Sequence, residues 1–569
     1  MTYLMTQPQL VAEAAANVAG IRSAIEAANA AVAGPTTSLV AAAADEVSTA
    51  SAALFGAYGQ EYQAVIRQAA AFHDEFVRAL AAAGTAYAEA EAVNAAAVGG
   101  SAIAAPLAAV SYDVALIMTG SGDPIPSPDY MASVRPFINF AYVVTGANIP
   151  LNTPEGLYPF TQVKDLPLNQ SVTLGVQMLD NALFGPQGLI TNGQSVAVLG
   201  LSQSAVLSSI EMRNLAAIGS PSKDMLSFTL LGNPMAPNGG LLARFPGLSM
   251  PALGLEFYGA TPSNTGYPLT QYTLQYDGFA DFPRYPLNIL ADLNAVAGIQ
   301  FVHSNYGDLD PANLPPGYNL VELPVSPGNN GIEHYYMITY PGLPLLEPLR
   351  AVPVIGNPLA DLVEPNLTYL VNLGYGDPHY GYSTGYADVA TPFGLFPSIN
   401  PITFAGDMVS GTQQGVTAFA SDIQAMVPTS LPDLSVAGLA QTGGSSMPWA
   451  LPSLPAATGS PIDGFIDALK AANTRIATAF SSAAADGYAV LLPTADILNT
   501  AVTIIPAYNI NLFLDGIEQL ANGDPAGIIN AIGYPLAADV GLLTLAAGVE
   551  LNVLLNGAQS IIGDFTGAG

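Results

Sequence analysis

Ser195-Val-Ala-Val-Leu-Gly-Leu-Ser-Gln-Ser204 decides the fold: an apolar, β-branched run that stops at a Gly-Leu-Ser-Gln-Ser pentapeptide. The run has the composition of a strand buried on both faces, and the stretch from Ala205 to Ile218 that follows it has the composition of a helix. Strand, tight turn and helix in this order form a nucleophile elbow, in which a strained turn lifts a serine hydroxyl clear of the sheet edge. The residues flanking Ser202 must then be small, and Gly200 and Ser204 are.

Reading outward, further apolar runs punctuated by Gly, Pro and Asn fall at 114–118, 140–146, 226–232 and 272–277, with a helical stretch from Val172 to Leu183 among them. Strands alternating with helices predict a doubly wound, mostly parallel α/β sheet over about 113–398, with its site at the carboxyl ends of the strands. A second serine pentapeptide, Gly381-Tyr-Ser-Thr-Gly385, fits the elbow expression more literally, but it lies between Pro378 and Pro392 with no strand before it or helix after it. Ser383 is therefore read as a loop residue.

A serine nucleophile needs a base, and the chain has four histidines. His73 falls in an Ala-rich helical region, which leaves His303, His334 and His379. In an α/β hydrolase the acid follows a late strand and precedes the histidine. The run at 272–277 and the loop after it offer Asp277 and Asp281; Asp281, deeper in the loop, is the favoured acid and Asp277 the second choice. His303, beyond a helix expected at 286–297, is the favoured base. The plain alternatives are a turn aspartate and a packed core histidine. An oxyanion would be held by two backbone N–H groups. Gln203, next to the nucleophile, supplies one, and Ser121, in the Thr-Gly-Ser-Gly loop after the run at 114–118, the other.

With 43 acidic and 12 basic residues, a net charge of -31 opposes phosphate backbones and anionic membrane surfaces, so nucleic acid is not an expected partner. An apolar fraction of 50% excludes a disordered chain, and the absence of Cys removes thiolate chemistry and Cys-ligated metals. No HExxH, EF-hand or Walker loop is present, so neither a metal nor another cofactor is expected; Asp308 and Asp310 read as solvated carboxylates. The N-terminus lacks the basic and apolar regions of a Sec-type signal, and apolar stretches such as 540–549, bounded by Asp539 and Glu550, are too short for a transmembrane helix.

Residues 8–98 carry helical periodicity and predict two antiparallel helices, about 8–33 and 37–83, joined at Gly34-Pro35-Thr36. Their apolar stripes are too wide to be buried by two helices alone, which implies a helical partner. Residues 399–461, rich in Gly, Ser, Thr and Pro, read as a linker, and 462–569 as a mainly helical accessory region.

The first 98 residues, with AANAAVAGPTTSLVAAAADEVS (27–48) and AAFHDEFVRAL (70–80), resemble the PE domain of mycobacterial PE proteins, although the family's Pro-Glu stands here as Pro8-Gln9. Residues 113–398, with TGSGDPIPS, VAVLGLSQS, LLGNPMAPNGG, YDGFADFPRYPLNILADLNA and YGYSTGYADVATPFGLFP, resemble the PE-PPE domain, a serine α/β hydrolase similar to cutinases. The first resemblance implies a type VII secretion signal at Tyr87 and Glu91, a secreted or cell-wall location and a PPE-type partner. The second implies an esterase or lipase acting on short to medium acyl esters, or an acyltransferase in cell-envelope glycolipid synthesis. A non-catalytic surface protein that pairs with a PPE partner is the third reading.

Overall fold

A computed structural model describes residues 110–161, 164–426 and 461–566, with scattered positions between 30 and 63. The chain divides into two units, Met1–Ala108 and Ala109–Gly569. In the first, residues 33–37 are helical across the expected Gly34-Pro35-Thr36 turn, and the Thr37 hydroxyl donates to the Ala33 carbonyl at 2.7 Å. Most of the two expected helices, together with His73, Tyr87 and Glu91, lies outside the described residues.

The second unit is built on a seven-stranded sheet. Its strands are β1 (Val114–Ile117), β2 (Asn148–Pro150), β3 (Val196–Leu201), β4 (Leu226–Leu231), β5 (Leu269–Leu274), β6 (Leu320–Glu322) and β7 (Glu333–Ile338), in the spatial order β6-β7-β5-β4-β3-β1-β2. Every pairing is parallel except β6 with β7. Alternate residues of each strand serve different cores, because successive side chains leave a strand on opposite faces. Val196 and Val198 pack against α2 (Leu168–Phe184) and α3 (Gln203–Ala217), whereas Ala197 and Leu199 pack in the core that includes α1 (Pro128–Ala141). Both faces are covered, so the strands read as unbroken apolar runs rather than alternating ones.

Two expected strands are redrawn. The run at 140–146 yields the end of α1 and then a two-residue strand, Val143–Val144, which pairs with Ser111–Tyr112 outside the main sheet. The run at 272–277 ends as a strand at Leu274, because Tyr276 takes φ 66° and the chain turns there. The sequence order reverses between β1 and β3, and the carboxyl ends of those two neighbours flank the crevice where sites form in open parallel sheets.

The expected linker begins instead as a helix, α6 (Pro401–Met426), which follows α5 (Gly356–Asn372). Its small residues serve close helix packing: a Cβ on Gly415 would lie 2.0 Å from the Leu362 carbonyl oxygen, and Asn366 donates to the Thr412 hydroxyl at 2.8 Å. Beyond α4 (Ile289–Phe301), the C-terminal region forms α7 (Pro461–Ala521) and α8 (Gly527–Thr566), which pack on each other and on the sheet domain. Stretches 477–521 and 527–561 are long and apolar enough to cross a membrane, contrary to the expectation from 540–549.

Candidate active site

Ser202 stands between β3 and α3 with φ 57° and ψ −114°, a backbone state that L-residues avoid and that occurs where surrounding structure enforces it. Gly200 makes the turn possible: a Cβ there would lie 2.5 Å from the Ser204 carbonyl oxygen and 2.8 Å from the Ala205 nitrogen. Ser204 does more than occupy little space. Its hydroxyl accepts the Leu201 N–H at 2.8 Å and donates to the Thr119 carbonyl, tying the elbow to the loop after β1.

The Ser202 hydroxyl lies 2.7 Å from His303 Nε2. On the other side of the ring, Nδ1 is 2.8 and 2.9 Å from the two carboxylate oxygens of Asp277. Asp277 is fully buried and also accepts the Tyr306 hydroxyl at 2.8 Å and the Phe279 N–H at 3.0 Å. The imidazole is therefore clamped from both nitrogens, while Phe279 packs edge-on against it at 4.8 Å between centroids. Burial pushes the Tyr306 hydroxyl well above its usual pKa, so it stays a donor to Asp277.

Asp281, the favoured acid in the sequence, is not brought to His303. Asp277 leaves the sheet edge directly after β5, whereas the following tight turn carries Asp281 back inward, where it accepts the Tyr276 N–H at 2.9 Å. There it is wholly buried, which drives its carboxyl well above the ordinary range despite the nearby Arg244. Position deeper in the loop therefore means greater distance from the imidazole.

Ser121 and Gln203 line the same cavity as Ser202. The Gln203 side chain was not assigned a part by the sequence, yet it donates to the Ser121 hydroxyl and to the Gly156 carbonyl, both at 2.9 Å, and accepts from the Ser171 hydroxyl. It buttresses the loop that carries Ser121. Its backbone N–H is the first of α3, at the helix end where amides lack intrahelical acceptors.

The other two described histidines face elsewhere: His334 pairs with Glu322 at 2.9 Å, and His379 with Asp377 at 3.1 Å. Ser383 is buried, accepts Arg244 Nη2 at 3.1 Å and belongs to the framework around that fully buried guanidinium. Asp310 caps a turn through the Ala312 N–H at 2.9 Å.

A PE family model matches residues 4–94 and a PE-PPE domain model residues 146–376. Over 553 residues the chain is 40% identical to Esterase PE16 of Mycobacterium tuberculosis, covering 96% of this chain and 97% of that one. The chain belongs to the PE family. This PE protein is also 48% identical over 472 residues to the PPE family protein PPE28 of the same species, spanning 82% of this chain and 68% of that one. It is 46% identical over 446 residues to PE family protein PE3, with 76% and 91% covered. Among solved structures, a cutinase-like protein from Cryptococcus matches 30% of the PE protein and 79% of its own chain, at 20% identity and a TM-score of 0.21.

Proposed function

We propose that this PE protein is a serine esterase that cleaves acyl esters through an acyl-enzyme, with Ser202 as nucleophile, His303 as base and Asp277 as the acid that orients it. The observation that carries the reading is the relay of hydrogen-bond distances from Ser202 Oγ through both ring nitrogens of His303 to Asp277. His303 Nε2 takes the hydroxyl proton as Oγ attacks the ester carbonyl, then delivers it to the leaving alcohol; water repeats the sequence to release the acid. Asp277 fixes the tautomer with the proton on Nδ1 and stabilises the imidazolium. The developing oxyanion is taken by the N–H groups of Gln203 and Ser121, at one end of a cavity otherwise lined by apolar side chains. A 40% identical relative whose name is an esterase supports the same reaction class.

PE family membership supports the accompanying reading that the N-terminal unit carries a type VII export signal at Tyr87 and Glu91 and pairs with a PPE-type helical partner. The test of the enzymatic reading is covalent labelling by a fluorophosphonate together with p-nitrophenyl butyrate hydrolysis. Both are expected in the folded protein and both are lost in Ser202→Ala. Hydrolysis that survives in Ser202→Ala, or a folded wild-type protein that neither labels nor hydrolyses, overturns it.

A further inference from the structure

A narrow cavity with a volume of about 70 Å³ lies at Ser202. Apart from Ser121, Ser202 and Gln203, its lining is apolar. Most of that wall, including Leu157, Leu242, Phe257 and Phe279, comes from the region matched by the PE-PPE domain, 146–376. The rest does not: Leu545 and Val549 belong to α8, about 170 residues beyond that region.

These two side chains are held in place rather than loosely apposed. Residues 541, 545, 548 and 549 share one face of a helix by their three- and four-residue spacing. A Cβ on Gly541 would lie 2.8 Å from Pro286 Cβ, and one on Gly548 would lie 2.4 Å from Val296 Cγ1, so the helix backbone sits directly against the sheet domain on both sides of Leu545. Ala537, Ala538 and Leu542 are buried in the same core. Polar ties bracket the contact, with Asn552 donating to Gln300 at 3.1 Å and, from α7, Asp496 accepting the Tyr158 hydroxyl at 2.6 Å.

We infer that α8 supplies the acyl-chain wall of this site, and that Leu545 and Val549 set which chain lengths it accepts. The inference rests on the reading of Ser202 as the nucleophile, because that reading makes the apolar cavity the acyl side of the ester. A chain of only a few carbons would meet residues near Ser202, whereas a longer chain would meet α8, and each further methylene buried there favours binding about four-fold. The acyl selectivity of this PE protein would thus be written outside its PE-PPE domain.

The test uses the full-length protein in two arms. In the first, the Ser202→Ala protein is titrated calorimetrically with dodecanoate below its micelle concentration, which reads the pocket without any reaction. Adding Leu545→Trp is expected to weaken binding at least ten-fold and the milder Leu545→Phe several-fold, while Leu551→Trp, on the exposed face of α8, leaves it unchanged. In the second arm, Leu545→Trp or Val549→Trp in the intact enzyme is expected to lower the ratio of kcat/KM for dodecanoyl over butyryl p-nitrophenyl esters at least ten-fold. Dodecanoate binding that is absent, or insensitive to both substitutions at 545, or equally weakened by Leu551→Trp, overturns the inference, as does an equal loss for both esters. Failure of the catalytic reading shows separately, as esterolysis that does not depend on Ser202. Thermal melts of each variant identify any that fail to fold, in which case Leu545→Phe carries the comparison.

Discussion

Replacing Asp277 by Asn discriminates between the two carboxylates that follow β5. Asp277 accepts from His303 Nδ1, the Tyr306 hydroxyl and the Phe279 N–H at 2.8–3.0 Å, and it is fully buried. An asparagine has one acceptor oxygen and an NH₂ group in place of the second. If the oxygen serves Tyr306 and the turn, the amide donates to Nδ1, and the ring proton is forced onto Nε2, where it faces Ser202 Oγ and blocks proton removal. Loss of the wrong-tautomer kind costs about 10⁴ in kcat in serine enzymes, or ~5.5 kcal/mol at 1.36 kcal/mol per tenfold. KM should change little, because Asp277 does not line the cavity. Asp281→Asn is the control: burial already holds that carboxyl well above the ordinary range, and an amide oxygen can still accept the Tyr276 N–H. It should stay within about ten-fold of wild type. Both variants are assayed with p-nitrophenyl butyrate at saturating and limiting concentrations. A larger loss in Asp281→Asn, or an Asp277→Asn enzyme within ten-fold of wild type, would refute the assignment.

Gln203→Ala keeps the backbone N–H but releases the loop of Ser121, so kcat should fall about 10- to 100-fold with a smaller effect on KM; unchanged kcat in stopped assays of the purified variant would show that the loop holds without it. Arg244→Met should lower stability by about 1–3 kcal/mol in chemical denaturation, since Arg244 is wholly buried and donates to the carbonyls of Phe282 and Thr391, which the variant would leave unpaired. Glu155 is raised to about 8 by burial, so between its usual value and that figure the folded state holds a proton the unfolded chain has released. Its contribution to stability is therefore largest at acid pH and declines as pH rises towards about 8. Glu155→Gln should flatten that decline, by on the order of a few kcal/mol at pH 8, in denaturation midpoints compared at pH 5 and pH 8; parallel curves for the two proteins would contradict it.

The parts of the fold that were legible in sequence are those in which local pattern and burial coincide. The run at 195–201 is a strand buried on both faces, and Ser202 follows from it. β7 carries no strand signature in sequence because it begins Glu333-His334, polar residues that find partners: Glu333 receives the Asn264 N–H and His334 meets Glu322. The run at 140–146 misled for the opposite reason. Its β-branched residues suggest a strand, but α1 continues through Ala141 with Pro136 inside it, because Phe137 and Ile138 are buried against the sheet. Asp277 and Asp281 could not be separated by spacing, since the direction in which a tight turn carries a side chain depends on the positive φ of Tyr276, a residue type that gives no hint of it. Sequence singles out Gln203 for its backbone alone; its side-chain part depends on three partners distant in sequence, Ser121, Gly156 and Ser171.

The C-terminal helices show how a local reading of charge can mistake its purpose. Asp539 and Glu550 interrupt the apolar run at 540–549, and on that ground no span of membrane length was expected. In the structure they are contacts between the helices: Asn509 of α7 donates to Asp539 at 2.7 Å, and Thr494 of α7 donates to Glu550 at 2.6 Å. Leaving such groups unpaired in an apolar medium would be costly, whereas pairing them across the hairpin fixes the register of α8 against α7. The same face logic limits what the hairpin can do while it is docked. The stripe of α8 around Ala537, Leu542 and Gly548 is committed to the sheet domain, and leaving it would forfeit that burial and the Tyr158–Asp496 bond. Side chains such as Ile532, Leu551 and Leu555 remain exposed on the outer face. The helix pair thus presents one apolar face to the sheet domain, where Leu545 and Val549 line the Ser202 cavity, and leaves further apolar side chains on the other.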